Sequence, residues 1–538
     1  MKWNTLVHTG PCFPEDYVYK KIPVTVLGQD FILDPKAEEV AFFWAQKLQT
    51  EYIKDVVCQK NFWFDFCKLI PEKLKITNFP LDWDFSKMVD YLAYEKEQKK
   101  SKEYKDQVKA KKEENQEKHG YAVIDGIKTP LNNYMVEPPG LFIGRGNHPL
   151  RFRLKPRITP EDVVLNHSLD VPIPSPCKGQ WKDVVERKNA IMTAFWVQPL
   201  TNVTKRIIFT NDSHINQGSS INKFNKVNKL AQNIDYVKAE INKTLSSTNW
   251  KKMETATAAK IIAELAIRVG NEKDEDSADT VGVTTLRFEH VKIINETCIE
   301  LDFLGKDSVR YHQKANLDEQ TVINLKRILS NKKKGQDIFN ITSLDVNKFF
   351  KDILDGISAK DFRTAYGSLI LANELRKENI QKLSLSQKIK FHTEANLLVA
   401  KKLNHQTQVK SNFGEKIDEL SDKLNTYKAN YQTLKEEIES LKDSDNVKDV
   451  KKIKKLKSKL KKLKLVIESH KIKIDIKKKT KNIALGTSKA NYSDPRINFS
   501  FAKDNGIPIE KIYTKSLLKK FSWAEDIEED FYKNYPNI

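Results

Sequence analysis

A tyrosine lies among small and polar residues in the stretch Ser488-Lys489-Ala490-Asn491-Tyr492-Ser493-Asp494-Pro495-Arg496. A phenol can act as a nucleophile, but with a free pKa near ~10 only about one part in a thousand is ionised at neutral pH. Tyr492 therefore needs activation, and by residue type alone a loop tyrosine is a packing or surface residue. Four cationic or titratable residues stand in short motifs upstream. Arg268 opens Arg268-Val269-Gly270-Asn271-Glu272-Lys273, and Lys306 sits in Phe303-Leu304-Gly305-Lys306-Asp307-Ser308. Arg363 sits in Ala359-Lys360-Asp361-Phe362-Arg363-Thr364, and His405 in Asn404-His405-Gln406. An arginine fork pairs with two oxygens at once, and lysine is a compact donor whose pKa shifts readily. Each also has an ordinary reading: a helix-end charge for Arg268, a turn lysine, a salt-bridged surface arginine and a satisfied core histidine.

A further stretch, Glu137-Pro138-Pro139-Gly140-Leu141-Phe142-Ile143-Gly144-Arg145-Gly146-Asn147-His148-Pro149, combines backbone freedom with an arginine that could meet phosphate or a base edge. Composition alone reads it as a tight connecting turn. The sequence has no Gly-x-x-x-x-Gly-Lys-[Ser/Thr] nucleotide loop and no acidic cluster with convincing metal spacing.

The elements that must position these residues follow from periodicity and punctuation. Pro35 to Trp44 reads as a helix start, with proline and acids in the first turn. Tyr91 to Lys118 reads as an exposed helix or helix pair ended by Gly120. Ala194–Val197 and Arg206–Phe209 read as strands of a small β-rich unit. Asn211 to Ser220 reads as a polar loop, with helix resuming from Lys223 and a domain boundary nearby. Thr255 to Ile267 reads as a helix with Ala259, Ile262, Ala263 and Ala266 on one face and Gly270 as its C-cap. Thr284 to His290 and Val291 to Leu304 read as containing strands, and Gly305 to Ser308 as a hairpin turn presenting Lys306. Helices resume at Glu319 and continue through Val346–Phe350 and Arg363. Leu420, Leu424, Tyr427, Tyr431, Leu434, Ile438 and Leu441 alternate steps of four and three. Asp443 to Asn446 breaks this seam, which resumes at Ile453, Leu456, Leu460, Leu463, Ile467 and Ile474. The expectation is an antiparallel coiled coil whose second arm is rich in exposed lysine, either a solvated face or a phosphate-facing arm.

The whole chain, 538 residues, is long enough for two to four domains. Its formal net charge of +21 points to a polyanion, most simply nucleic acid, with a solvated lysine-rich surface as the plain alternative. The five cysteines, Cys12, Cys58, Cys67, Cys177 and Cys298, form no CxxC pair. An odd number without such pairing argues against a disulfide framework or zinc ribbon and suits a reducing compartment. No apolar run approaches the ~20 residues of a membrane helix, and the N-terminus lacks the apolar core of a signal peptide. The expectation is a soluble intracellular protein with no membrane partner.

The stretch Ile483 to Arg496 resembles the active-site tyrosine signature of eukaryotic-type DNA topoisomerase I, the type IB topoisomerases. The resemblance extends from Trp3 to the C-terminus, and the motifs around Arg145, Arg268, Lys306, Arg363 and His405 recur in family order. It implies that Arg268, Lys306, Arg363 and His405 act with Tyr492. The arginines and histidine would hold the nonbridging oxygens of a phosphodiester, and Lys306 would protonate the departing 5′ oxygen from the minor groove. Tyr492 would form a 3′-phosphotyrosyl bond that conserves the phosphodiester energy. Supercoils of either sign would relax by strand rotation without ATP or a required metal, divalent cations being at most stimulatory. No dedicated side-chain base for Tyr492 is implied. Arg145, Asn147, Lys360, Asn404 and Asn491 match DNA-contacting positions. Phe142, Gly144, Arg145, Asp307 and Asn491 match positions where camptothecin-class poisons act, with Arg145, Asp307 and Asn491 as the polar contacts. Ile143 departs from the basic residue expected there.

The implied fold is a multidomain α+β, bilobed DNA clamp. Residues 1–222 would form an N-terminal lobe, 223–408 a mainly helical catalytic lobe of the tyrosine recombinase kind, 409–480 the coiled-coil linker, and 481–538 a C-terminal domain carrying Tyr492. The partner would be duplex DNA, encircled by a monomer. Location would be nuclear in a cell, or a viral factory or virion if the source is a virus. The rivals are a tyrosine recombinase, which shares the chemistry, and a basic architectural DNA binder, which would not require Tyr492.

Overall fold

The computed structural model describes residues 3–144, 146–270, 280–407, 409, 412–442 and 447–537, without the side chains of Asp307 and Val447. The chain is mixed α+β and its described residues divide into two compact units, one up to residue 219 and one from residue 220 onward.

The first unit has two cores. One packs Trp44, Phe62, Phe66, Trp83 and Phe152 around the helices Pro35–Ala45 and Val56–Phe66. The Asp34 carboxylate caps the first of these by accepting the N–H groups of Lys36 and Ala37, with Pro35 in the first turn as expected. The other core lies on a four-stranded sheet. Its order is Asp183–Val185, Val163–Asn166, Met192–Val197 and Thr204–Ile208, with only the first pair parallel. The exposed helix pair is Ser86–Gln98 and Lys102–His119, the second capped at Gly120.

Two readings of the second unit's approach are corrected. The polar run from Asn211 is not a loop to Ser220, because a helix begins at His214 and runs to Gln232. Ser213 Oγ accepts the Asn216 N–H, and the Asn216 side chain donates to the Phe209 and Thr210 carbonyls. Asparagine and serine, weak helix formers in the interior, here serve the helix start. The helix Trp250–Leu265 does not end at Gly270: Ala266 caps it in the left-handed region at φ 53°. Nor is its apolar face narrow, since nearly every residue from Met253 to Leu265 is buried.

The second unit is built on one core that includes Phe224, Ile262, Phe350, Phe362 and Leu369, and also Phe499, Phe501 and Phe521 from the C-terminal segment. A three-stranded antiparallel sheet, Val291–Ile293, Cys298–Gly305 and Val309–Asn316, carries the hairpin turn Lys306–Ser308. Thr284 to His290 is not strand but two single 3₁₀ turns, Val283–Thr285 and Phe288–His290. The N–H groups of Val283 and Thr284 donate to the carbonyls of Arg268 and Val269, so no ladder claims them. Helices follow at Glu319–Leu329, Ser343–Ile353, Ala359–Arg376 and Leu385–Lys402.

Two long helices, Phe413–Ser440 and Val447–Lys479, pack along each other. Tyr427 meets His470 edge-on at 4.8 Å, and Lys452 pairs with Glu437 at 2.8 Å, so the helices run antiparallel. Leu424 and Leu456, both on the expected seam, are its buried residues. The expected helix break at Asp443 to Asn446 lies outside the described residues. Backbone bonds from Thr407 N–H to Asn482 and from Ala484 N–H to His405 join the two feet of the pair.

Candidate active site

Tyr492 is not in a loop but directly follows a short helix, Leu485–Asn491, as its C-cap. Its position is set by the buried helix Ala359–Arg376. Gly367 lies against it so closely that a Cβ there would fall 2.1 Å from the Tyr492 carbonyl oxygen. One residue on, Ser368 Oγ accepts the Asp494 N–H at 2.9 Å. Asp494 is fully buried, grips Arg496 at 2.7 Å and caps the next helix, Pro495–Asp504.

Arg363 stands one turn before Gly367, 5 % exposed, with its guanidinium carbon 5.1 Å from the Tyr492 ring centre. Its Nη1 donates to the Ala266 carbonyl and its Nη2 to the Leu403 carbonyl, the latter at 2.8 Å. The left-handed turn at Ala266 thus supplies an acceptor for Arg363. Arg268 is held two residues further on, where Gly270 and Gly282 cross. A Cβ on Gly282 would lie 2.3 Å from the Gly270 nitrogen, so the crossing requires glycine.

The His405 ring lies 4.9 Å from the Tyr492 ring. It is 5 % exposed, yet neither of its nitrogens has a hydrogen-bond partner among the described residues, and neither has Arg363 Nε. Buried polar groups are normally paired. Three unpaired donors or acceptors facing one phenol are what a site awaiting an anionic ligand would show. His405 is therefore not the satisfied core histidine of the plain reading. Burial, with Arg363 and Arg268 nearby, lowers its pKa to about 4, leaving a neutral ring with one N–H to donate at neutral pH.

A cavity of about 110 Å³ is lined by Arg268, Lys306, Arg363, Asn404, His405 and Thr487 among others. Lys306 enters from the exposed hairpin tip. Burial opposes ionisation of Tyr492, but the charges of Arg363 and Arg268 outweigh it and hold the phenol below the usual tyrosine range. Phenol activation, for which no side-chain base was legible, thus has a source in the two arginines. Burial and the Arg268 charge bring Arg363 down to about 10, although Tyr492 pulls it the other way, and it is still cationic at neutral pH.

The five residues singled out as catalytic thus converge within one unit. Asn404 joins them at φ 54°, its side chain donating to the Arg310 carbonyl at 3.0 Å. Lys360 and Asn491 are exposed near Arg363 and Tyr492 in sequence. Asn147 is an exposed residue of the other unit, where Phe142 packs edge-on against His148 at 4.9 Å and Gly144 has φ +67°. Arg145 and the Asp307 side chain lie outside the described residues. Sequence reasoning missed Gly367, whose only signal was a glycine inside a helix. Gly367→Val should push the tyrosine off Arg363 and slow single-turnover DNA cleavage roughly 10²-fold, the scale of an ångström misplacement. Unchanged cleavage by a folded variant would show that Tyr492 is positioned otherwise.

A phenol flanked by two guanidiniums, a neutral imidazole and an exposed lysine can accept a phosphoryl group and stabilise its transition state. Three family models match the chain: "Eukaryotic DNA topoisomerase I, DNA binding fragment" over residues 1–209, "Eukaryotic DNA topoisomerase I, catalytic core" over 212–438, and "C-terminal topoisomerase domain" over 464–533. Similar proteins include DNA topoisomerase 1 alpha of Arabidopsis thaliana, 35% identical over 98% of this chain and 59% of its own length. DNA topoisomerase 1 of Homo sapiens is 35% identical over 99% of this chain and 72% of its own length. DNA topoisomerase I, mitochondrial, of Rattus norvegicus is 35% identical over 99% and 92%. This chain belongs to the eukaryotic DNA topoisomerase I family, which relaxes supercoils by a type IB mechanism. Among the described residues, no helix is long and apolar enough to cross a membrane, and no three His, Cys, Asp or Glu side chains group as metal ligands.

Proposed function

We propose that this chain relaxes positive and negative supercoils by nicking one strand of duplex DNA through Tyr492, letting it rotate, and resealing it. The observation that carries the reading is the convergence on Tyr492 of Arg363 and His405, with three of their nitrogens unpaired. Tyr492 Oη, its proton released to solvent under the pull of Arg363 and Arg268, attacks the phosphorus, the bond to the 5′ oxygen breaks, and Lys306 gives that oxygen a proton. Arg268, Arg363 and the His405 N–H hold the nonbridging oxygens as charge builds on them. The 3′-phosphotyrosyl bond keeps the energy of the phosphodiester, so the reverse attack by the 5′ hydroxyl needs no ATP.

In this reading residues 1–222 form one lobe and 223–408 the catalytic lobe, closing as a monomeric clamp around the duplex. Residues 481–538 return Tyr492 to the catalytic lobe, which is of the tyrosine recombinase kind, and residues 409–480 project as a coiled-coil linker. Arg145, Asn147, Lys360, Asn404 and Asn491 contact the DNA. Arg145, Asp307 and Asn491 would meet a camptothecin-like poison. The net charge of +21 supports a phosphate-dominated, salt-sensitive interface. Two guanidiniums and an ammonium supply the positive charge that the transition state requires. Relaxation of a supercoiled plasmid should therefore proceed without ATP and in excess EDTA, with a covalent protein–DNA complex trapped by denaturant. Failure to relax under these conditions despite DNA binding would instead support the architectural binder.

A further inference from the structure

The short helix Leu485–Asn491 ends on two carbonyls that no further helical turn satisfies. Each accepts a lysine from a different part of the second unit. Lys223, from the helix His214–Gln232, donates from Nζ to the Asn491 carbonyl at 2.6 Å. Lys520, from the helix Lys515–Lys520, donates from Nζ to the Ala490 carbonyl at 2.8 Å. The next residue is Tyr492. Both lysines are half-buried, and burial lowers both their pKa values, yet the acceptors are neutral carbonyls rather than carboxylates. A charged donor at a helix C-terminus meets the negative end of the dipole, which repays part of that desolvation. The helix is also tied by Lys489, whose Nζ donates to the Ile512 carbonyl at 3.0 Å.

We infer that Lys223 and Lys520 are positioning residues, a pair of ammonium clamps that fix the carbonyl end of the tyrosine helix and so aim the phenol for attack. The inference rests on the reading of Tyr492 as nucleophile. The lysines act through the backbone of Ala490 and Asn491 and do not hold the DNA. Burial brings Lys223 to about 8; Lys520 and Lys360 repel its charge, and Asp361 and Asp494 oppose that. The clamp therefore loses charge as pH rises through this range.

The sign of the stability effect separates aiming from simple structural support. Folded Lys223 releases its proton near pH 8 and the unfolded lysine near 10.5, so the buried charge costs folding stability at pH 7. Lys223→Met should then leave Tm at or above the wild-type value. Its single-turnover cleavage of a duplex oligonucleotide at pH 7 should fall roughly tenfold, as misorientation of a nucleophile predicts. Lys520→Met should behave alike, and Lys223→Arg should restore most of the rate. The wild-type rate should decline as pH rises through about 8, and that decline should be missing from Lys223→Met. In a Tyr492→Phe background, the affinity of Lys223→Met for the same duplex should keep its salt dependence. Unchanged cleavage in both methionine variants would overturn the inference, as would a joint fall of Tm and cleavage. A salt slope reduced by about one would also overturn it, because it would make Lys223 a phosphate contact. If Tyr492→Phe itself still cleaves, the nucleophile reading fails. If Tyr492→Phe is inert and the lysine variants cleave normally, only the clamp fails.

Discussion

Tyr492→Phe should bind supercoiled plasmid as the wild type does and relax none of it. The substitution removes one oxygen atom from a half-buried ring that packs against Arg363 and His405, so the fold and the cationic cavity should persist. Loss of a covalent nucleophile leaves only the surrounding electrostatics, so the drop should be at least about 10⁴-fold. Gel relaxation assays and denaturant trapping on the same samples check it. A covalent complex formed by the phenylalanine variant would assign the chemistry to another residue. Equal relaxation by both proteins would do the same, provided a mock purification is inactive.

The second large effect concerns Arg363. Arg363→Ala removes a transition-state contact, which by itself should slow cleavage roughly 10²–10³-fold. It also strips the Ala266 and Leu403 carbonyls of their donors, at a stability cost of about 1–3 kcal/mol for each buried group left unpaired. Arg363→Lys is the sharper test. A lysine keeps the charge but cannot span both carbonyls and the phenol with one planar fork. Its cleavage rate should stay well below wild type. Because Arg363 is the larger of the two charges that pull Tyr492 below its usual range, the phenol's ionisation should move to higher pH in either variant. The sign is fixed: losing a cation beside a phenol disfavours the phenolate. Cleavage followed against pH would show the rising limb displaced upward. A limb that stays put, with the rate reduced, would leave Arg363 as a phosphate ligand and reassign phenol activation to Arg268.

Much of this site was legible as motifs, for a physical reason. Each catalytic candidate sits in a short run whose neighbours shape its local backbone: a hairpin turn for Lys306, an N-capped helix for Arg363, a helix end for His405. Such local geometry is written within a few residues. What joins the runs is tertiary and was not legible. Ala266 adopts a left-handed conformation and offers its carbonyl to Arg363, 97 residues away. The N–H groups of Val283 and Thr284 go to the segment beside Arg268 instead of to a sheet, which is why their alternation misled. The polar run before Ser220 hid a helix because its asparagines and serines cap and brace the helix start. Gly367 is a docking surface whose only sequence signal is a glycine inside a helix. Nothing local distinguishes Lys223 and Lys520 among the chain's 93 lysines and arginines.

The docking of residues 492–494 on Gly367 and Ser368 also bears on thermal noise. Arg363 and the contact points for Tyr492 occupy adjacent turns of the same buried helix. If that helix shifts as a body, guanidinium and phenol shift together, and their separation changes far less than either position. Fluctuation of the core then enters the reacting pair as a common displacement, with little relative jitter. An arginine and a tyrosine mounted on independent supports would have to be made stiffer, at greater entropic cost, to hold the same alignment.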